Sequence, residues 1–302
     1  MKHKIEWVEI PAGEFVFGLS NEHISKIRRK VYEDFGYEKT DDSVDRIIDN
    51  IVNKSRSNQP KLTQVELSLL KNDRLSPVIR AESVLRDIQY FPNMTLDTFY
   101  ISKFPVTTQQ MVEFMEIGPV GKLKDLYLST VNTQDDSKIP AMVSWYLADW
   151  FCQWIGGRLP TESEWEKASR GTDGRLYPWG EEWHTDRGNF SHAETSTKMK
   201  IQNNEGILAT PVDSYPAGVS PFGVWDMCGN VQEWTSTIKA SNNTEGPLLK
   251  SSSIAYRVIS SWFDAVLAFH RQGGRSINDA YEYTGFRPVK DKWISSYWKG
   301  WS

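Results

Sequence analysis

Thiols, imidazoles and carboxylates are the side chains here that can do chemistry, and their spacing restricts each of them. There are only two thiols, Cys152 and Cys228, in 302 residues, so no disulfide framework holds this chain together. The imidazoles are His3, His23, His184, His192 and His270, and no H-x-x-x-H-x-E spacing occurs among them. The carboxylates cluster at Glu162, Glu164 and Glu166. On a helix that alternation points the groups in different directions. The trio therefore reads as capping and salt-bridging groups, not as a paired acid and base. No G-x-S-x-G elbow, P-loop or dinucleotide fingerprint is present. Ser, His and Asp are all available, but a triad is a claim about space that a linear sequence does not make.

Positioning such groups falls to elements of unusual composition. Thirteen Trp, 12 Tyr and 13 Phe favour an irregular interior filled with aromatic rings over one built from Leu, Val and Ile. Residues 5–18, "IEWVEIPAGEFVFG", read as a hairpin across a Pro-Ala-Gly turn. From 20 to about 90 Trp disappears and apolar residues recur at helical spacing, with Ile24, Ile27, Val31 and Phe35 on one face and Val44, Ile47, Ile48 and Ile51 on another. A third helix is expected from Thr63, where Thr63 and Glu66 fit a capping box. This block is read as a helical insertion packed on the main fold.

Further on, "DTFYIS" reads as a strand, and Thr107 with Gln110 opens a short helix. "SWYLADWFCQW" at 144–154 reads as a buried helix stopped by Gly156 and Gly157, and Thr161 with Glu164 opens another that turns Trp165 inward. Residues 171–220 are expected to be mostly loop, with "YPWG" as a turn. Polar loop is expected to continue after Thr235, with closing strands in "SSSIAYRVISSWFDAVLAFHRQ" and "EYTGFRPVK". The segment "DKWISSYWKGWS" adds three tryptophans, for packing back on the fold or for contact with a partner.

The formal charge of −4 gives no reason to expect salt-dependent phosphate binding, so nucleic acid is not an expected partner. No stretch approaches the roughly 20 apolar residues of a membrane span. "MKHKIEWVEIPAGEF" lacks the apolar run of a signal peptide, and a cytoplasmic location is expected.

The series "IPAGEFVFG", "FYISKFPVTTQQMVEF", "MVSWYLADWFCQWIGGRLPTESEWEKASRG", "YPWG", "PVDSYPAG", "FGVWDMCGNVQEWT" and "GFRPV" resembles the formylglycine-generating enzyme, or sulfatase-modifying-factor, family. Order and approximate spacing hold along nearly the whole chain, apart from the insertion and the last dozen residues. The resemblance implies an α+β variant of the C-type lectin fold with little regular secondary structure. It further implies one domain over 1–302, with the insertion at about 20–90 and a Trp-rich tail at about 291–302.

Membership of a family does not fix activity. Its copper oxidases use two cysteine thiolates near the C-terminal end, soft ligands for copper(I). Counting back from "GFR", those positions fall near Val258 and Phe263, and no Cys follows Cys228. Cys152 and Cys228 read as packing residues. The family's sulfur-transfer enzymes need a three-His iron site in a helical domain, and only His23 lies in the insertion. Neither copper nor iron is expected.

The resemblance does imply calcium, held by hard oxygen donors on a Gly-containing turn. One site would use Asp226 and Glu233 with the carbonyls of Gly229 and Val231. A second would use Asn189, the Phe190 carbonyl, Glu205 and the Ile207 carbonyl. The alternative is that Asp226, Asn230 and Glu233 only hydrogen-bond the loop. The ligand-facing surface implied by the fold is 256–287, with Arg257, Trp262, Phe263, Asp264, His270, Tyr281 and Tyr283 as ligand-binding candidates, while Arg271 and Arg287 fall where the family's arginines hold the core. The expectation is a binding or regulatory member that recognises a protein or small molecule. The alternatives are an oxidoreductase or peptide-modifying enzyme using other residues, around His270, Asp264 and Tyr281, and a ligand-binding protein diversified by a retroelement.

Overall fold

The computed structural model describes residues 4–34, 36, 42–56, 63–64, 68, 75–86, 88, 90–128, 137–190, 209–241, 244–251 and 284–292. The first strands are β1, Trp7–Ile10, and β2, Gly13–Gly18. They do not pair with each other, which corrects the expected hairpin. Strand β1 pairs antiparallel with β4, Phe99–Ser102, and β2 with β3, Tyr90–Leu96. Lys167 reaches the Pro-Ala-Gly turn, its Nζ donating to the Pro11 and Gly13 carbonyls at 2.7 and 2.9 Å. The two strands on either side of the turn belong to different sheets.

Between β2 and β3 stand helices α1, Asn21–Asp34, α2, Asp42–Arg56, and α3, Leu75–Leu85. Ile27 and Val31 of α1, Ile48, Ile51 and Val52 of α2, and Val78, Ala81 and Leu85 of α3 bury into one cluster. That cluster also takes in Leu176 and Tyr177, which dock the helices on the remainder of the chain. Ile47, expected on the buried face, is 40% exposed, and Val52 takes its place. Phe35 and Glu66 lie outside the described residues. Arg28 and Arg86 both converge on Glu82, and Arg86 also reaches Asp49, so two carboxylates and two arginines tie the three helices together.

The aromatic half is built from α4, Thr108–Ile117, α5, Leu123–Leu128, α6, Trp145–Trp154, and α7, Glu162–Arg170. The capping boxes at Thr107 and Thr161 form as read, each hydroxyl accepting from the third residue on while that residue's side chain returns to the cap N–H. Gly156, at φ +76°, turns the chain out of α6. Phe114, Phe151 and Phe286 interlock edge to face at 5.4 Å, and Trp234 packs in the same cluster.

Residues 171–190 and 209–220 are loop apart from a single 3-10 turn, Pro216–Gly218, and the Tyr177–Gly180 turn closes on itself. Where polar loop was expected after Thr235, the chain forms a hairpin of β5, Gln232–Ser241, and β6, Thr244–Lys250. Its polar residues are placed by pairing, so side-chain hydropathy gave no sign of it. Strand β7, Thr284–Gly285, lies parallel to β5, and β8, Val289–Asp291, completes the order β1-β4-β8. The closing strand expected in 251–272 lies, apart from Ser251, outside the described residues. Among the described residues no helix is long and apolar enough to cross a membrane.

Candidate functional site

Helix α7 carries the carboxylate cluster and buries all of it. Glu164 points to one side, where Arg158 grips both of its oxygens at 2.6 and 2.8 Å. Glu162 and Glu166, one turn apart, share the other face and meet Lys250 at 3.5 and 2.9 Å. Glu166 also accepts from Arg170 at 2.7 Å and from the Gly18 N–H at 2.6 Å. Burial alone would raise the Glu166 pKa, but Lys250, Arg170 and the Gly18 amide reverse the balance and hold it at about 2. Arg170 goes on to the carbonyls of Gly18, Gly174 and Arg175. The cluster is a tie-bar between β2, β6 and the loop after α7, the salt-bridging role read for it, but only Glu164 points away: Glu162 and Glu166 converge on one cation, which corrects the expectation of three different directions.

The loop 220–231 and the start of β5 lie beside it. Arg287 is fully buried and grips Glu233 at 2.7 Å through both Nε and Nη2, while the Trp165 indole donates to the same carboxylate at 2.8 Å. Arg287 also donates to the carbonyls of Ser102, Lys103 and Trp225, which is the core role read for it. Arg271 lies outside the described residues.

Asp226 and Asn230 both adopt positive φ, 54° and 63°, the backbone region Asp and Asn tolerate best after Gly. A Cβ on Gly229 would sit 2.9 Å from the Asn189 carbonyl and 2.8 Å from the Phe190 ring, so glycine lets 189–190 approach the turn. Asn230 is completely buried and fully bonded: its backbone N–H donates to Asn189, its amide donates to the Thr210 carbonyl and to Asp226, and its Oδ1 accepts from Thr210. Asp226 is 6% exposed and accepts from Asn230 at 3.1 Å. Burial, with Glu233 and Asp213 nearby, outweighs the help from Asn230 and Arg287 and raises its pKa to about 7.

The structure places Asp226, Gly229 and Val231 on one turn and Glu233 at the start of β5, with Asn189 and Phe190 against Gly229, and among the described residues no three His, Cys, Asp or Glu side chains are grouped to hold a metal ion. Glu205, Ile207, Arg257, Trp262, Phe263, Asp264, His270, Tyr281 and Tyr283 lie outside the described residues. The described stems beside 252–283, namely Lys250, Ser251 and Thr284, are all buried. Lys250 and Lys167 were missed as site residues, whereas Asn230 bonds the loop as the alternative reading had it. For Lys250 the signal was a lone cation ending the apolar "PLLK" run. Cys152 and Cys228 are buried, and burial, then Asp149, pushes the Cys152 thiol well up.

Residues 80–292 match the model for the sulfatase-modifying factor enzyme 1-like domain. The serine/threonine-protein kinase Pkn1 of Chlamydia trachomatis is 33% identical over 230 residues, 66% of this chain and 34% of that protein. The inactive C-alpha-formylglycine-generating enzyme 2 of Bos taurus is 32% identical over 154 residues, 48% of each. The formylglycine-generating enzyme of Streptomyces coelicolor is 43% identical over 105 residues, 31% of this chain and 30% of that one. The alignments thus span about a third to a half of these relatives' lengths. Among solved structures CarF aligns over 95% of this chain and 98% of its own, with a TM-score of 0.55 at 16% identity, a likeness of fold.

Proposed function

This chain belongs to the sulfatase-modifying factor family, and from that premise we propose that it is a recognition member, which binds a protein or small-molecule ligand and carries out no copper–thiol oxidation. One observation carries the reading. The only thiols are Cys152 and Cys228, and both are buried as scaffold. A copper(I) oxidase needs two accessible thiolates that converge on one ion. A relative named as an inactive formylglycine-generating enzyme aligns over nearly half the chain, which is consistent with this reading.

The test is a copper(I) titration against a chromophoric chelator, followed by incubation with a cysteine-bearing sulfatase peptide in air. The expected result is no stoichiometric copper and no change in peptide mass. A peptide converted to formylglycine would overturn the reading.

The turn at 226–233 is proposed to hold a structural calcium ion. The observation in favour is Asp226, a buried carboxylate that accepts from Asn230 alone among the described residues, on the same turn as Gly229 and Val231. Glu233 would share its oxygens with Arg287 and Trp165. Calcium would supply the positive charge that Asp226 lacks. The Tm is expected to rise in calcium and fall back in chelator, and an unchanged Tm would refute the site.

A further inference from the structure

Tyr146, Trp150 and Trp154 recur every four residues along α6, so they stand in one row down the helix. Tyr146 is 51% exposed, and Trp150 and Trp154 are only partly buried. Phe114 of α4 supports the row from beneath, its ring 6.1 Å from Trp150 and 5.0 Å from Trp154. One turn on from Phe114, Ile117 is 62% exposed and widens the apolar strip. The indoles of Trp145, Trp165, Trp179 and Trp234 each donate to a carbonyl or carboxylate. Those of Trp150 and Trp154 donate to no described residue. An aromatic row with free indole donors at its surface has the composition of a binding hot spot.

The described chain leaves the fold beside this row. Arg158 and Val289 exchange backbone hydrogen bonds at 2.9 and 2.8 Å, and the Arg158 side chain holds Asp291 at 2.8 Å. Arg158 lies only four residues beyond Trp154, so Lys292 emerges near the C-terminal end of α6. The ten residues that follow, 293–302, contain Trp293, Tyr297 and Trp301, again every four residues. Their one charged side chain is Lys299, and the one charged residue of α6 is Asp149. Fully extended, ten residues reach about 33 Å, and the row is about 12 Å long.

We propose that residues 293–302 dock on the row formed by Tyr146, Trp150 and Trp154, covering it within the same chain. The outer face of the β1-β4-β8 sheet is the weaker receptor for this segment. There Lys290 already lies over the rings of Trp7 and Tyr100, at 4.5 and 5.6 Å, and the Tyr100 hydroxyl donates to Glu9.

The test uses the full chain and a variant carrying Trp293→Ser, Tyr297→Ser and Trp301→Ser. Hydrogen exchange over residues 145–155 is expected to accelerate about tenfold in the variant. A synthetic peptide of sequence WISSYWKGWS should then protect that helix in the variant and leave the unaltered chain unaffected. Tyr146→Ser with Ile117→Ser, both on exposed side chains, should weaken peptide binding about tenfold while the Tm holds. Equal exchange in the two full-length proteins would overturn the proposal. So would peptide binding indifferent to Tyr146 and Ile117, or a dimer that dissociates in the triple variant, which would place a neighbouring copy's segment on the row.

Discussion

Glu166 and Asp226 are both buried carboxylates in neighbouring parts of the same core, yet the protein treats them in opposite ways. Glu166 has two cations and an amide pointed at it, so it stays ionised to about pH 2. Asp226 has one neutral donor and an acid for a neighbour, so it takes up a proton near pH 7. Burial is nearly the same, at 2% and 6% exposure, so burial does not explain the difference. Supply of positive charge does. The α7 region is complete with its own side chains. Asp226 has no cation bonded to it among the described residues, and this contrast is what the calcium proposal starts from.

The largest effect should come from making a complete region incomplete. Arg287→Ala leaves Glu233 fully buried with only the Trp165 indole, at a cost of about 3–5 kcal/mol. Urea unfolding measures it, and a loss under about 1 kcal/mol would mean Glu233 finds another partner. The two acids should next separate by pH, in chelator. Asp226 has a folded pKa above its unfolded one, so the folded state holds the extra proton between about pH 4 and 7. Stability is then lost as pH rises through that window, by up to about 4 kcal/mol. Asp226→Asn keeps a hydrogen-bonding partner for Asn230 and should abolish that slope together with any response to calcium. Glu166 has a depressed folded pKa, so its contribution is present above about pH 4.5 and disappears as pH falls toward 2. Glu166→Gln should flatten the acid limb only. A single variant that flattened both limbs would show that the two regions titrate as one.

The sequence exposed one region far better than the other. Helix α7 was legible because its signals are local: Thr161 and Glu164 are three residues apart, and Trp165 and the glutamates follow within one turn. Helix α6 and the Tyr177–Gly180 turn were legible for the same reason. Long-range partners carry no such mark. Nothing near Lys250 announces Glu166, 84 residues away, and nothing in "IPAGEF" announces Lys167, 156 residues from Pro11. The β5–β6 hairpin was hidden because its strands are polar, and the expected N-terminal hairpin failed because each strand found a better partner far along the chain, from Gly18 with Tyr90 to Trp7 with Ser102. The charge balance of Asp226 was hidden as well. The motif "DMCGNVQEW" shows two acids on a turn, and only the fold shows that Arg287 is committed to the second.

The smallest effect tests whether local signals matter once the long-range ties are made. Thr161 caps α7 and accepts from the Glu164 N–H, while Glu164 returns to the Thr161 N–H at 2.7 Å. Thr161→Ala removes the hydroxyl and should cost about 1 kcal/mol, with Thr161→Ser recovering most of it. The acid limb belonging to Glu166 should not move, because Lys250, Arg170 and Gly18 hold that carboxylate from outside the first turn. A shifted acid limb in Thr161→Ala would mean that the cap positions the cluster, and the tie-bar would then depend on a local signal. An unchanged limb with the expected loss in urea would divide the labour: the cap starts the helix, and the buried cations fix where it sits.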